Sequence, residues 1–467
     1  MRILEVTVSN FRSYSKANLK LGAQMNVIAG ENNVGKTALL QALQHLIGLP
    51  TYSLPQDSWP NSNPTQDLTL GIRMRLDDRQ VEAIANHLRI HSGRQEMSRE
   101  SFADRFGIDV DALVSWTGPD VNPSVKIRFV QNDGRYGAEI IFGHPIYQDN
   151  VVPARLGSDV HSELVRLLGE GFLSFPEFRL RPQATGSEVL RSTEGTNATS
   201  VLFLLKNGTK PQQERFRKIQ TYFTKLFPTL KFDLSKPLGA PPRILVEKIR
   251  TGHELPVENM GAGIAEMLII LSHIVGEQNK VFVLDSPELH LHPHSQRLLS
   301  SFLKESSLQN QIILVTHSPY FVDLNDVEHV ILITDHGGTS VCTQLPEGYF
   351  KEDERKILSK NIRYEEKEFL FSRSVLLVEG LTEYGALPII ARKLGKDFDE
   401  YGVSVVSVGG NYFGLLMKIL KGFELPWKAM CDSDTLTNIT RKISIDGVEY
   451  STSTLSLRFG ASRSDDR

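Results

Sequence analysis

The segment GENNVGKT, residues 30–37, constrains the fold of this chain more than any other. It follows the short apolar run MNVIAG and opens GKTALLQALQHLIG, whose apolar residues recur at helical spacing. Strand, glycine-rich loop and helix in that order form a phosphate cradle. Gly30 and Gly35 let the backbone turn its N–H groups toward an anion, with Asn32 and Asn33 in the loop between them. The helix N-terminus adds favourable partial charge. Lys36 is placed to reach the β- and γ-phosphates, and the Thr37 hydroxyl to bind magnesium. A chance glycine-rich turn would not carry Lys-Thr between a strand and a helix.

The acidic partner of such a loop is expected in VFVLDSPELHLHP, residues 281–293. Asp285 closes an apolar strand, at the carboxyl edge where ligands bind in open α/β sheets. The next residue is Ser286, which cannot serve as a general base for water at neutral pH without an activating neighbour. Glu288, past Pro287, reaches the site only if the turn directs it there. His317 closes the neighbouring strand ILVTHS and is expected to hydrogen-bond a γ-phosphate. In NMGAGIAEM, Gly261 and Gly263 open a helix and offer N–H groups to an anion. KVFVLD and QIILVTHS are continuous apolar strands joined by a helix, which predicts a parallel sheet covered on both faces.

A second carboxylate-bearing unit is predicted from residue 372. SVLLVEG places Glu379 at a strand end, with Glu383 one helical turn later. Gly409 and Gly410 close the next strand, and CDSD places Asp432 and Asp434 at the end of a third. Carboxylates gathered at one sheet edge repel unless cations compensate them. Oxygen donors of this kind suit magnesium or manganese, and the chemistry they suit is phosphodiester cleavage. Glu379 is the expected base or first metal ligand, with Asp432 and Asp434 as ligands. Glu383 is the weaker member, because the helix dipole favours a glutamate in a first turn anyway.

Between these units the pattern is less informative. PSVKIRFVQNDGRYGAEIIFG predicts a hairpin turning at NDG, and QVEAIANHLRI, DVHSELVRLLGEGF and PQQERFRKIQTYFTKLF predict helices. The arginines of FRLRPQATGSEVLRS are expected on a solvated face. With 467 residues the chain has room for about two to four domains. Its two cysteines, Cys342 and Cys431, exclude a disulfide framework and fit a reducing cytosol. The longest apolar run, MLIILSHIV, is about half of a bilayer span, so a soluble cytoplasmic protein without membrane partners is expected. A net charge of −3 gives no global basic field, although a local patch suffices for nucleic acid.

FRSY, GENNVGKT, STEGTNATSVL, MGAGIAEM, LDSPELHLHP and LVTHSP, in that order, resemble the ABC-like ATPase domain of RecF and SMC-type proteins. The likeness is greatest to the OLD (overcoming lysogenization defect) family of nucleases. Glu379-Gly380, Gly409-Gly410, Asp432 and Asp434 resemble a Toprim domain, and an ABC-like ATPase followed by Toprim is the OLD arrangement. The resemblance implies an α/β chain: an ABC-type P-loop ATPase domain over 1–345, with a helical arm or dimerisation insertion at about 80–240. A linker at 346–371 and a Toprim nuclease domain at 372–467 would follow. OLD proteins carry more chain beyond the position of Asp434, so this Toprim domain is expected to be incomplete. The family signature loop faces the nucleotide of a second subunit, and here it has Ala262 where a hydroxyl residue is common.

The implied function is an ATP-binding, magnesium- or manganese-dependent DNA endonuclease acting against bacteriophage or invading DNA. It would be a homodimer or higher oligomer with a helicase-like partner protein. Ser286 implies slow or absent hydrolysis; the alternative is that His317 and an ordered water sustain ordinary turnover. Two further alternatives are a RecF- or SMC-like nucleotide-switched DNA-repair ATPase with a vestigial Toprim module, and a Toprim RNase.

Overall fold

The structure, a computed structural model, describes residues 1–47, 58, 67–77, 79–80, 166–167, 169–177, 179, 197–408 and 412–431. It also gives the backbone of strands between 88 and 156 and between 444 and 449. The chain divides into two compact units: Met1–Ile28, Gly35–Thr316 and Asp335–Cys342 form the first, and Ala29–Val34, His317–Thr334 and Thr343–Arg467 the second.

Two large sheets frame the first unit. One is a six-stranded sheet in the order Tyr136–Phe142, Asp120–Gln131, Phe106–Thr117, Leu68–Arg75, Arg2–Phe11, Tyr14–Lys20. Neighbouring strands are antiparallel, and Ile3, Val6 and Val8 turn one face of the Arg2–Phe11 strand inward. The two strands of the expected hairpin pair, with Tyr136 opposite Val130, and its NDG turn lies outside the described residues. No local sequence pattern signals the strand Phe106–Thr117. Leu88–Arg89 is a strand paired with Arg155–Leu156, not the end of the helix expected of QVEAIANHLRI. Between 88 and 156 every described element is a strand. Helices described in the middle region include Ala198–Asn207 and Lys210–Leu226, the latter burying Phe216, Ile219, Phe223 and Leu226 along one side, and residues 166–167 and 169–171 of DVHSELVRLLGEGF are helical as expected.

The other sheet is the parallel one foreseen. Phe172–Phe175, Val281–Asp285, Gln311–Val315 and Met25–Ala29 lie in that order, each strand parallel to the next. Every residue of Val281–Asp285 and Gln311–Val315 is buried, which explains their continuous apolar sequence. A three-stranded antiparallel sheet, Leu230–Ser235, Arg243–Lys248 and His253–Pro256, leads through a short 3-10 turn into the helix Ala262–Ile274.

The second unit contains a parallel sheet of three strands, with Ser374–Val378 between Val403–Ser407 and Trp427–Met430. Helices Leu381–Lys393 and Phe413–Gly422 make the crossovers. The polar segment before it forms the helix Glu352–Asn361 and the 3-10 helix Glu365–Phe371. Arg355 pairs with buried Glu328 at 2.5 Å and anchors that segment.

Candidate functional site

The phosphate loop is shaped by its glycines. Gly30 has φ +145°, and a Cβ there would lie 2.2 Å from the Ile333 carbonyl oxygen. Gly35 has φ +101°, and its Cβ would lie 2.6 Å from Ser340 Oγ. Asn33 takes the left-handed φ of 64° without being glycine, and it and Asn32 are exposed. The loop is supported from below by Tyr14 of the FRSY motif. That side chain is fully buried, and its hydroxyl donates to the Gly35 carbonyl at 2.9 Å. Burial pushes the Tyr14 hydroxyl pKa far up, so it stays a neutral donor. Lys36 is buried at the first position of the helix Lys36–Ile47, and exposed Thr37 follows it.

Asp285 ends its strand close enough to that helix for the Thr37 hydroxyl to favour its ionised form. Burial raises the Asp285 pKa, and Glu177 pushes the same way. Hydrogen bonds from Ser286 and Thr37 and the charge of Arg179 oppose the rise. Ser286 is left-handed, with φ 47°; its N–H donates to the Val315 carbonyl at 2.9 Å and its hydroxyl to Asp285 Oδ1 at 3.2 Å. The Pro287 turn then brings Glu288 inward. Glu288 is buried, and its Oε1 accepts from Thr316 Oγ1 at 2.8 Å. The turn thus directs Glu288 to the end of the adjacent strand, immediately before exposed His317.

One charged residue departs from expectation. Arg179, from the FRL of the arginine cluster, is wholly buried rather than on a solvated face. It donates to the Asp285 carbonyl at 2.6 Å and to Glu266 Oε2 at 3.4 Å. Local composition carried no signal for this, because the contacts come from residues about ninety and one hundred positions away. Arg181 and Arg191 lie outside the described residues.

The two glycines of the signature segment differ in kind. Gly261 is the N-cap of the helix Ala262–Ile274, with open space where a Cβ would go. Gly263 is buried, and a Cβ there would lie 2.5 Å from the His290 carbonyl oxygen. Close packing accounts for Gly263; exposure of N–H groups does not.

In the second unit, Glu379 is half-buried directly after the central strand Ser374–Val378. Val378 is level with Met430, and Cys431 is the last described residue before Asp432. Asp432, Asp434, Gly409 and Gly410 lie outside the described residues. Glu383 accepts the Gly380 N–H at 3.1 Å and caps its own helix, the role the helix dipole favours. Among the described residues no group of three or more His, Cys, Asp or Glu is arranged to hold a metal.

The nucleotide side of the molecule fits its expected ligand. Glycine backbone too close to its neighbours for any Cβ, a buried lysine at a helix start, and hard oxygen donors from Thr37 and Asp285 suit a magnesium-bound triphosphate.

The AAA ATPase domain family matches residues 1–107 and 188–322. The overcoming lysogenization defect protein-like TOPRIM domain matches residues 370–434. An OLD nuclease of Thermus scotoductus is 25% identical over 458 residues, covering 91% of this chain and 81% of that protein. The Old nuclease of Escherichia phage P2 is 24% identical over 484 residues, covering 94% of this chain and 78% of that protein. Endonuclease GajA of Bacillus cereus is 20% identical over 458 residues, covering 93% and 75%. Among solved structures, the Smc head bound to the C-winged helix domain of ScpA covers 74% of this chain and 98% of that one, at 14% identity and a TM-score of 0.46. No helix among the described residues is long and apolar enough to cross a membrane.

Proposed function

The chain belongs to the AAA ATPase domain family and continues into an OLD-like Toprim domain, and from that premise we propose that it is an ATP-regulated, divalent-metal-dependent DNA endonuclease. The carrying observation is the order of parts. A nucleotide cradle in the first half is followed, in one chain, by a parallel sheet whose central strand ends in Glu379 and whose neighbour leads to Asp432.

On the nucleotide side, the loop N–H groups from Gly30 to Gly35 and the Lys36 ammonium bind phosphate oxygens. Thr37 and Asp285 would hold magnesium, which would supply charge neutralisation for the bound phosphates. Ser286 supplies no base, and Glu288 is engaged with Thr316, so ATP turnover is slow and binding is the main event. His317 touches the γ-phosphate. Gly261 and its helix N-terminus face the nucleotide of a second copy, so ATP governs a homodimer. On the nuclease side Glu379, Asp432 and Asp434 would hold magnesium or manganese, and such an ion would supply an activated water and charge stabilisation for the leaving oxygen. By likeness to the OLD nucleases the target is bacteriophage or other invading DNA.

Contacts within the second unit support control of cutting by ATP. Arg373 Nε lies 3.1 Å from both carboxylate oxygens of Glu31 in the phosphate loop. The next residue begins the strand that ends before Glu379. Buried Lys367 donates to the Val322 carbonyl at 2.8 Å, in the segment that follows His317, and the rings of Tyr320 and Tyr364 are 5.2 Å apart.

Supercoiled plasmid incubated with the protein and manganese tests the proposal. Nicked circles from wild type, and none from Asp432→Ala with Asp434→Ala, are expected. Intact plasmid with nucleotide-dependent DNA retention would favour the repair-ATPase alternative, and cleavage confined to a labelled RNA the RNase one.

A further inference from the structure

The nucleotide site contains a buried cation that the chemistry above does not use. The Arg179 side chain is 0% exposed, and its Nε finds no acceptor among the described residues. The carboxylates of Glu266, Asp285, Glu288 and Glu177 all bear on its charge. A buried ion pair with a donor left over is a poor stabiliser, since matched apolar side chains do as well or better. Its contacts indicate another role. One arm of the guanidinium holds the Asp285 main chain and the other holds Glu266, in the helix that opens at Gly261. The second oxygen of Glu266 meets His290 Nδ1 at 3.0 Å, and Gly263 packs on the His290 carbonyl. The exit of the acidic strand and the signature helix are therefore joined in one register, with Arg179 at the joint.

We propose that Arg179 is a positioning residue of the nucleotide site, a fixed cation that registers the end of the Asp285 strand against the helix of Gly261 and Gly263 and so orients Asp285 for magnesium. This rests on Asp285 being the magnesium ligand. Only a planar fork makes both directed bonds at once, so lysine is a partial substitute. An apolar residue alone would strand Glu266 as an uncompensated buried charge.

The test therefore uses the full chain carrying Arg179→Met together with Glu266→Leu, and separately Arg179→Lys. Two quantities are measured: the thermal midpoint without nucleotide, and the affinity for a fluorescent ATP analogue with magnesium divided by that without it. The double variant is expected to melt at or above the parent temperature while its magnesium-dependent ratio falls by about 10- to 100-fold. Arg179→Lys is expected to lie between the two. A parental ratio in the double variant, or in Arg179→Lys should the double variant not fold, would show that Arg179 only fills the core. A parent that binds no analogue under either condition would remove the nucleotide reading itself, and this proposal with it.

Discussion

In the function proposed here, Ser286 and Glu288 set what the nucleotide site can do. Ser286 is held left-handed beside Asp285, and Glu288 is turned back onto Thr316. Loss of the Lys36 ammonium removes the main charge complement to the phosphates, so Lys36→Ala is expected to bind no ATP by calorimetry. Ser286→Glu restores a carboxylate where a base is wanted, and steady-state ATP turnover is expected to rise by about 100-fold. An already fast parental rate, unchanged by Ser286→Glu, would refute the role given to the serine. The glycine turn from Gly30 to Gly35 and the helix opening at Lys36 were legible from the sequence, because that glycine spacing sets the backbone path. Tyr14 under Gly35 and Arg179 behind Asp285 were not, because each acts on a residue distant in sequence. Glu383 was legible in both its possible roles, and the structure shows the cap.

Among the elements, the signature helix Ala262–Ile274 makes the sharpest predictions. Gly263→Ala places a methyl on the His290 carbonyl and is expected to cost about 1–3 kcal/mol in denaturant unfolding. Gly261→Ser enters open space at an N-cap and is expected to leave stability unchanged or slightly raised. Equal losses at the two positions would contradict the packing described. The same helix carries His273, whose ring donates from Nδ1 to the Ile269 carbonyl at 2.8 Å. Burial holds its pKa below the usual value of 6.5, so the folded state binds fewer protons than the unfolded state between the lowered value and 6.5. Its contribution to stability is complete above pH 6.5 and lost as pH falls through that window. Thermal midpoints of His273→Phe should accordingly fall less steeply toward acid than those of the parent. At this scale the parallel strands were readable as unbroken apolar runs. Phe106–Thr117 and Leu88–Arg89 were not, because partners on distant strands set their conformation.

For the whole molecule, the question is whether the nucleotide cradle and the proposed cutting site work as one device. The contact of Arg373 with Glu31 is largely exposed and worth little as stability, but it links the phosphate loop to the residue preceding the nuclease strand. The two-part organisation was legible because each half carries its own strand-end chemistry. The expected convergence of Glu379 with Asp432 and Asp434 rests on spacing alone, since the two aspartates lie outside the described residues. The most direct measurement is the rate of supercoiled-plasmid nicking in manganese as ATP is raised, for wild type, Lys36→Ala and Asp432→Ala in parallel. Nicking that responds to ATP in wild type, ignores ATP in Lys36→Ala and is absent from Asp432→Ala is the expected result. Nicking that persists in Asp432→Ala, or no nicking by wild type at any ATP level, would contradict it.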